Sequence, residues 1–239
     1  MDRMNELKPG GRVAYFGGSF DPPHLGHLAV ARAAQAALGL DAVLFAPTGT
    51  QPLKSEGPTA SFEDRVAMTR LALQGEQGMS VSLADAPRPA GEPNYSAETL
   101  TRLRAELPPG STLYFLMGAD SFLSLRHWRR AAEIPFLARL IVAARPGQRL
   151  DDLGIALPGG LAIEPAAIAR ETGGIEVRCY SITNAAGQKA PLYLLPGLNA
   201  DISASDIRDQ ICAGKGRLTG DLLLPAAVVN YVRGRELYQ

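Results

Sequence analysis

Along the first two thirds of the chain, short apolar runs alternate with longer segments whose apolar residues recur at helical spacing. Val13-Ala14-Tyr15-Phe16, Ala42-Val43-Leu44-Phe45-Ala46, Met79 to Leu83, Thr112-Leu113-Tyr114-Phe115-Leu116-Met117 and Leu140-Ile141-Val142-Ala143-Ala144 have strand length. Nearly unbroken hydrophobicity of this kind suits strands buried on both faces. Between them, Leu28 to Leu38 has a helical pattern. So does the segment capped by Ser61 and running to about Leu73, with Val66, Met68, Leu71 and Ala72 as its stripe. A third helix opens near Ser96, a candidate cap, and turns Leu100, Leu103 and Leu107 inward. Alternating strands and helices predict right-handed βαβ units. The expected fold is α/β and Rossmann-like, a doubly wound, mostly parallel sheet with helices on both faces.

After Pro146 the pattern loosens, punctuated by Pro158-Gly159-Gly160 and Gly173-Gly174, which predicts an irregular insertion over about 147–174. Strand-like Ile175 to Tyr180 and Leu192 to Leu195 follow. Helices opening at Asp201 to Arg208 and spanning Pro225 to Arg233 predict a helical C-terminal part over about 203–239. The whole, residues 1–239, is of single-domain size.

Composition narrows the partners. Lys plus Arg and Asp plus Glu number 24 each, so the basic excess of a general nucleic-acid binder is missing. A small anionic ligand held by a few placed cations fits better. Cys179 and Cys212 belong to no Cys-x-x-Cys pair, so neither a zinc site nor a disulfide framework is indicated. Met1 to Glu6 lacks an apolar signal core and no run reaches membrane-spanning length, so a cytoplasmic protein without a membrane partner is expected. Assembly into a homo-oligomer is left open.

The chemistry gathers at Gly17-Gly18-Ser19-Phe20-Asp21-Pro22-Pro23-His24-Leu25-Gly26-His27, which holds two of the three histidines. A strand, a glycine turn and a helix start make a phosphate device: the backbone can come close, and the N–H groups and dipole of the helix favour negative charge. Neither G-x-x-x-x-G-K-[ST] nor G-x-G-x-x-G is present, which argues against a P-loop kinase or a dinucleotide dehydrogenase. In an open parallel sheet, ligands bind beyond the carboxyl ends of the strands. The glycine turn, the loop from Thr48 to Lys54, Tyr95-Ser96, Gly118 to Asp120, and Arg145 would all meet on that edge. Asp21 is expected to fix the turn rather than bind metal, and His127 to be an exposed helix residue.

The Gly17 to His27 stretch resembles the nucleotidyltransferase superfamily signature G-G-x-F-D-P-x-H-x-G-H at every fixed position. Ile202-Ser203-Ala204-Ser205-Asp206-Ile207-Arg208 is similar to its second signature, I-S-S-T-x-I-R, with Ala204 in place of a serine and Ser205 in place of a threonine. Within the superfamily the chain most resembles the bacterial nicotinate-nucleotide adenylyltransferase family. That likeness rests on Gly118-Ala119-Asp120-Ser121 with Leu125 and Trp128, Tyr95-Ser96 with Thr99-Leu100, Val142 to Gly147, and the tail with Leu224-Pro225 and Tyr231. Where the family has P-P-H-K, this chain reads Gln51-Pro52-Leu53-Lys54, losing the histidine and keeping the lysine.

The resemblance implies transfer of AMP from ATP to nicotinate mononucleotide, with Mg²⁺ carried on the ATP. It implies that His24, His27 and Arg208 act on the triphosphate, with Ser203 and Ser205 beside Arg208. Gly17, Gly18, Ser19, Phe20, Gly118 and Asp120 would serve the rest of ATP. Trp128 would stack on the pyridine ring, the backbone at Tyr95-Ser96 would read its carboxylate, and Thr48, Lys54 and Arg145 would complete the mononucleotide side. Rival readings are adenylation of phosphopantetheine, a cytidylyl transfer, or a nucleotide-binding sensor without catalysis.

Overall fold

The structure is a computed structural model and describes residues 7–51, 57–144, 153–166, 170–172, 174–198, 203–213 and 223–239. Six parallel strands build its main sheet: β1 (Arg12–Gly18), β2 (Ala42–Pro47), β3 (Met79–Val81), β4 (Thr112–Gly118), β5 (Arg139–Ala143) and β9 (Lys189–Leu195). Between them run α1 (Leu25–Leu38), α2 (Phe62–Ala72), α3 (Ser96–Glu106), α4 (Ala119–Leu123) and α5 (Ile134–Leu137). The spatial order is β3-β2-β1-β4-β5-β9, so the chain winds one way from β1 and the other way from β4. Between these two strands the winding reverses, which is where such sheets bind ligands.

Strand β2 is buried at every position, as its unbroken apolar run requires. Side-chain alternation sends Ala14 and Phe16 of β1 into a cluster with Leu28, Ala31 and Ala34 of α1. Tyr15 points the other way, into a cluster with Phe115, Leu100 and Leu103. Each large apolar side chain so buried contributes about 1.5–3 kcal/mol. The two faces therefore hold the central strands rigidly, and the loops at their carboxyl ends inherit that rigidity.

The stretch expected to be irregular is different in its described parts. Leu153–Ala156 forms a short 3₁₀ turn, β6 spans Leu161–Pro165 and β7 spans Arg170–Thr172. Both strands pair antiparallel with β8 (Ile175–Asn184), which itself runs antiparallel to β9. The loosened region thus extends the sheet. Its strands are short, and β6 leaves Ala162, Glu164 and Pro165 exposed, so they lack the long apolar run that marks a buried strand. Strand β8 also continues four residues past Tyr180, through Ser181 to Asn184.

At the C-terminal end, α6 (Ala204–Cys212) and α7 (Ala226–Gly234) pack with α2 around Met68, Ile207, Val228 and Val232. Ser61 caps α2 by accepting from the Asp64 N–H at 3.1 Å. Ser96, by contrast, is the first residue of α3, with Tyr95 in the capping position.

The loop after β2 is zipped to the loop before α3. Gly49 N–H donates to the Asp85 carbonyl at 2.8 Å, and Thr50 and Asn94 exchange bonds through Asn94 Oδ1 and the Thr50 carbonyl. A methyl group on Gly49 would sit 2.6 Å from Pro87 Cα and 2.9 Å from Asn94 Oδ1. Gly49→Ala is expected to part the two loops and lower stability by about 1–3 kcal/mol, read from the urea unfolding midpoint.

Candidate active site

A cleft of about 860 Å³ opens at the carboxyl edge of the sheet where the winding reverses. Gly17 and Gly18 at the end of β1, Thr48 after β2, and Gly118 at the end of β4 line it. Thr48 N–H donates to the Gly18 carbonyl at 2.9 Å, extending the pairing of β1 and β2 into the loops. Gly17 is needed for a specific reason. A Cβ there would lie 2.5 Å from the buried Tyr15 hydroxyl.

His24 and His27 stand at the start of α1, with His24 as N-cap and His27 three residues on. Their rings stack with centroids 3.6 Å apart. The His24 N–H donates to His27 Nδ1 at 3.2 Å. Accepting at Nδ1 leaves the proton of the neutral imidazole on Nε2, so His27 offers a donor from that nitrogen. Burial, and then the neighbouring His24, hold the His27 pKa well below the usual histidine value. His27 is therefore a neutral hydrogen-bond donor at neutral pH.

Phe20 supports this pair from behind. Its ring lies 4.9 Å from that of His27 and about as close to Phe16 and Phe45, and its side chain is buried beneath the cleft rather than on its wall. The expectation for Phe20 concerns its backbone groups; its ring is more stable against Phe16 and Phe45 than facing a polyanion. Its φ of 48° is in the left-handed region, which costs a residue with a side chain about 1–2 kcal/mol.

Asp21 fixes the turn, as its position in the motif suggests. Its carboxylate accepts from the Thr59 N–H at 2.7 Å, the Ala60 N–H at 3.1 Å and the Tyr238 hydroxyl at 2.7 Å. Arg65, almost fully buried, donates to the Ser19 carbonyl at 2.7 Å. Arg208 reaches across from α6 and donates to the Asp21 carbonyl at 2.7 Å, with its second nitrogen 3.3 Å from Ser205 Oγ. Ser203 caps α6 through the Asp206 N–H. Ser19, Ser203, Ser205 and Arg208 all line the cleft, together with the glycines and the two histidines.

The other end of the cleft is aromatic. Trp128 is half-buried, packs on Phe115 at 6.1 Å between ring centroids, and donates from Nε1 to Ser124 Oγ at 3.0 Å. It both joins the core and faces the cleft, so the packing and ligand roles are compatible. Tyr95 and Ser96 bring the N-terminus of α3 to the same wall, and Asp120 enters from α4. His127 is exposed at the rim, as expected, and accepts from Arg126 Nε at 3.0 Å. Lys54 and Arg145 lie outside the described residues.

Two features are not apparent from local sequence. Arg129 lies over the Tyr95 ring at 4.6 Å. Asp85 is buried and lines the cleft, accepting from the Tyr15 and Thr99 hydroxyls. Burial, with the Asp85 charge second, raises the Tyr15 pKa, so the phenol stays a donor. The one local signal for Asp85 is an isolated acidic residue straight after a strand.

The Cytidylyltransferase-like family matches residues 15–210, a span that contains the glycine turn, both histidines, Trp128 and Arg208. A protein of Gloeobacter violaceus is 38% identical over 96% of this chain and 97% of its own length, and one of Chromobacterium violaceum is 36% identical over 95% and 99%. Both carry the name probable nicotinate-nucleotide adenylyltransferase. Among solved structures, the Plasmodium falciparum nicotinic acid mononucleotide adenylyltransferase complexed with NaAD superposes with a TM-score of 0.63 over 95% of this chain and 97% of that one. At 16% identity this likeness speaks for the fold alone. With both signatures, the fold and full-length relatives in agreement, the chain belongs to the Cytidylyltransferase-like family and, within it, to the nicotinate-nucleotide adenylyltransferases.

Proposed function

We propose that the cleft transfers AMP from Mg²⁺-ATP to the 5′-phosphate of nicotinate mononucleotide in the cytoplasm, giving the deamido dinucleotide and pyrophosphate. One observation supports this reading: a single cleft is lined both by His24, His27, Ser203, Ser205 and Arg208, side chains suited to phosphate, and by Trp128 with the start of α3. A phosphate oxygen of the mononucleotide forms the new bond to the α-phosphorus, and the bond from that phosphorus to the bridging oxygen breaks. The electron pair leaves with pyrophosphate. Because the nucleophile is already anionic, the protein's part is alignment and charge stabilisation.

The His27 Nε2–H would donate to the α-phosphate as negative charge gathers there, and His24 would hold the neighbouring oxygens. Arg208, with its planar fork, would take the β- and γ-phosphates. Gly17, Gly18, Ser19, Gly118 and Asp120 would hold the remainder of ATP. On the acceptor side, the indole of Trp128 would stack on the pyridine ring. The N–H groups at Tyr95-Ser96 would meet the carboxylate, as the positive end of a helix favours, and Thr48, Lys54 and Arg145 would complete that subsite. Mg²⁺ would arrive on the nucleotide, since among the described residues no three His, Cys, Asp or Glu side chains gather as a metal site.

Pyrophosphate release with Mg²⁺-ATP and nicotinate mononucleotide, nicotinamide mononucleotide or phosphopantetheine tests the assignment. Turnover is expected with nicotinate mononucleotide. Its absence with both pyridine nucleotides overturns the assignment, and turnover with phosphopantetheine alone replaces it.

His27→Ala is expected to lower kcat by about 10²-fold or more, the scale for removing one donor to developing charge. A loss of less than a few-fold in a folded variant refutes its role.

The depressed pKa of His27 also sets a pH dependence of stability. Below about pH 6.5 the unfolded chain takes up a proton at this position while the folded chain does not, so stability falls as pH drops toward the folded pKa. Between about pH 7.5 and about pH 5.5, the melting temperature of the ligand-free protein is expected to fall more than that of His27→Asn.

A further inference from the structure

We infer that Tyr238 is a positioning residue of the nucleotide site, whose phenol holds one oxygen of the Asp21 carboxylate so that Arg208 is left to the departing phosphates. This rests on the adenylyl-transfer reading and extends it to a residue in neither signature. Tyr238 follows α7, is 8% exposed, and lies 217 residues from Asp21 along the chain. It comes to that carboxylate because α7 packs on α2, and the chain beyond turns back with Glu236 and Tyr238 both at positive φ. Two residues in the left-handed region so close together carry a backbone cost, which the buried contact of Tyr238 offsets.

The charges around Asp21 show why the phenol matters. Oδ1 accepts from Ala60 N–H and from Tyr238, while Oδ2 accepts from Thr59 N–H. The Arg208 guanidinium is 3.8 Å from Oδ2, too long for a hydrogen bond, and donates to the Asp21 backbone carbonyl instead. Arg65, the other nearby cation, is directed to the Ser19 carbonyl. A buried carboxylate that loses one donor draws on the nearest other one. Here that is Arg208, which would turn from the cleft into a direct ion pair with Asp21. The phenol is a neutral donor, its pKa raised by burial and by Asp21, so it satisfies the oxygen without competing for the polyphosphate.

The same helical end supplies an internal control. Tyr231 makes an equivalent phenol-to-carboxylate bond, to Asp64 Oδ1 at 2.9 Å, and neither residue lines the cleft. Tyr238→Phe and Tyr231→Phe each delete one hydroxyl and keep the ring.

Steady-state kinetics on the full-length chain is the test. Tyr238→Phe is expected to raise KM for ATP, and Ki for pyrophosphate, by about tenfold, the scale of one hydrogen bond to a charged group. KM for nicotinate mononucleotide should stay within about twofold of wild type, as should every constant of Tyr231→Phe. Tyr238→His, which keeps a ring donor, should restore part of the ATP and pyrophosphate affinity. The inference fails if Tyr238→Phe matches Tyr231→Phe, if it raises both substrate KM values alike, or if Tyr238→His is as impaired as Tyr238→Phe. Should Tyr238→Phe fail to fold, the Tyr238→His comparison with wild type decides: a rise of less than about tenfold confined to KM for ATP and Ki for pyrophosphate supports the donor role, and unchanged constants or a rise in KM for both substrates overturn it. An inactive wild-type protein instead strikes the adenylyl-transfer reading itself.

Discussion

Asp21 is a carboxylate almost wholly removed from water, 3% exposed, and such a group is tolerated only where donors replace the lost hydration. Its donors come from separate parts of the chain: the loop at Thr59 and Ala60, and Tyr238 beyond α7, with Arg208 of α6 on its backbone carbonyl. One buried charge therefore ties the turn after β1 to the helical C-terminal end. Both of these parts line the cleft. The left-handed backbone at Phe20 and the buried arginine Arg65 are held in the same knot, since neither would be stable on an isolated turn.

The histidine pair shows how a chain without excess positive charge can still present a hydrogen-bond donor to its cleft. Burial, and then the His24 ring stacked on it at 3.6 Å, disfavour protonation of His27. What the His27 ring presents is then a fixed N–H dipole rather than a mobile charge. Such a donor requires little reorganisation when charge develops, which is the property that favours a transition state over a ground state. Among the described residues, two arginines near the turn have their direction set by backbone carbonyls, Arg65 on Ser19 and Arg208 on Asp21.

Legibility in the sequence followed locality. Strands β1, β2, β4 and β5 were marked by unbroken apolar runs, because a strand covered on both faces has no polar side to interrupt it. Helix α2 was marked by Ser61, whose cap is made within three residues. Strands β6 and β7 were missed because they are short and lie beside the one strand β8 at the edge, and nothing within them names their partner. The site divides in the same way. Both histidines and the second signature are contiguous motifs. Asp85 owes its place to Tyr15 and Thr99, and Trp128 shows its double role only once Phe115 stands beneath it.

Taken alone, the amino-acid sequence determined the class of fold, the strand-to-helix phosphate turn and the kind of chemistry, since these depend on residue type at short spacing. Tertiary structure decided which groups act together. The neutral state of His27 depends on burial, the direction of Arg208 on a carbonyl 187 residues away, and the hydrogen bonding of Asp21 on a phenol 217 residues away. Hydrogen bonds and desolvation fall off within a few ångströms, so they are properties of contact in space, and contact between distant residues exists only after the sheet has closed and α7 has packed on α2.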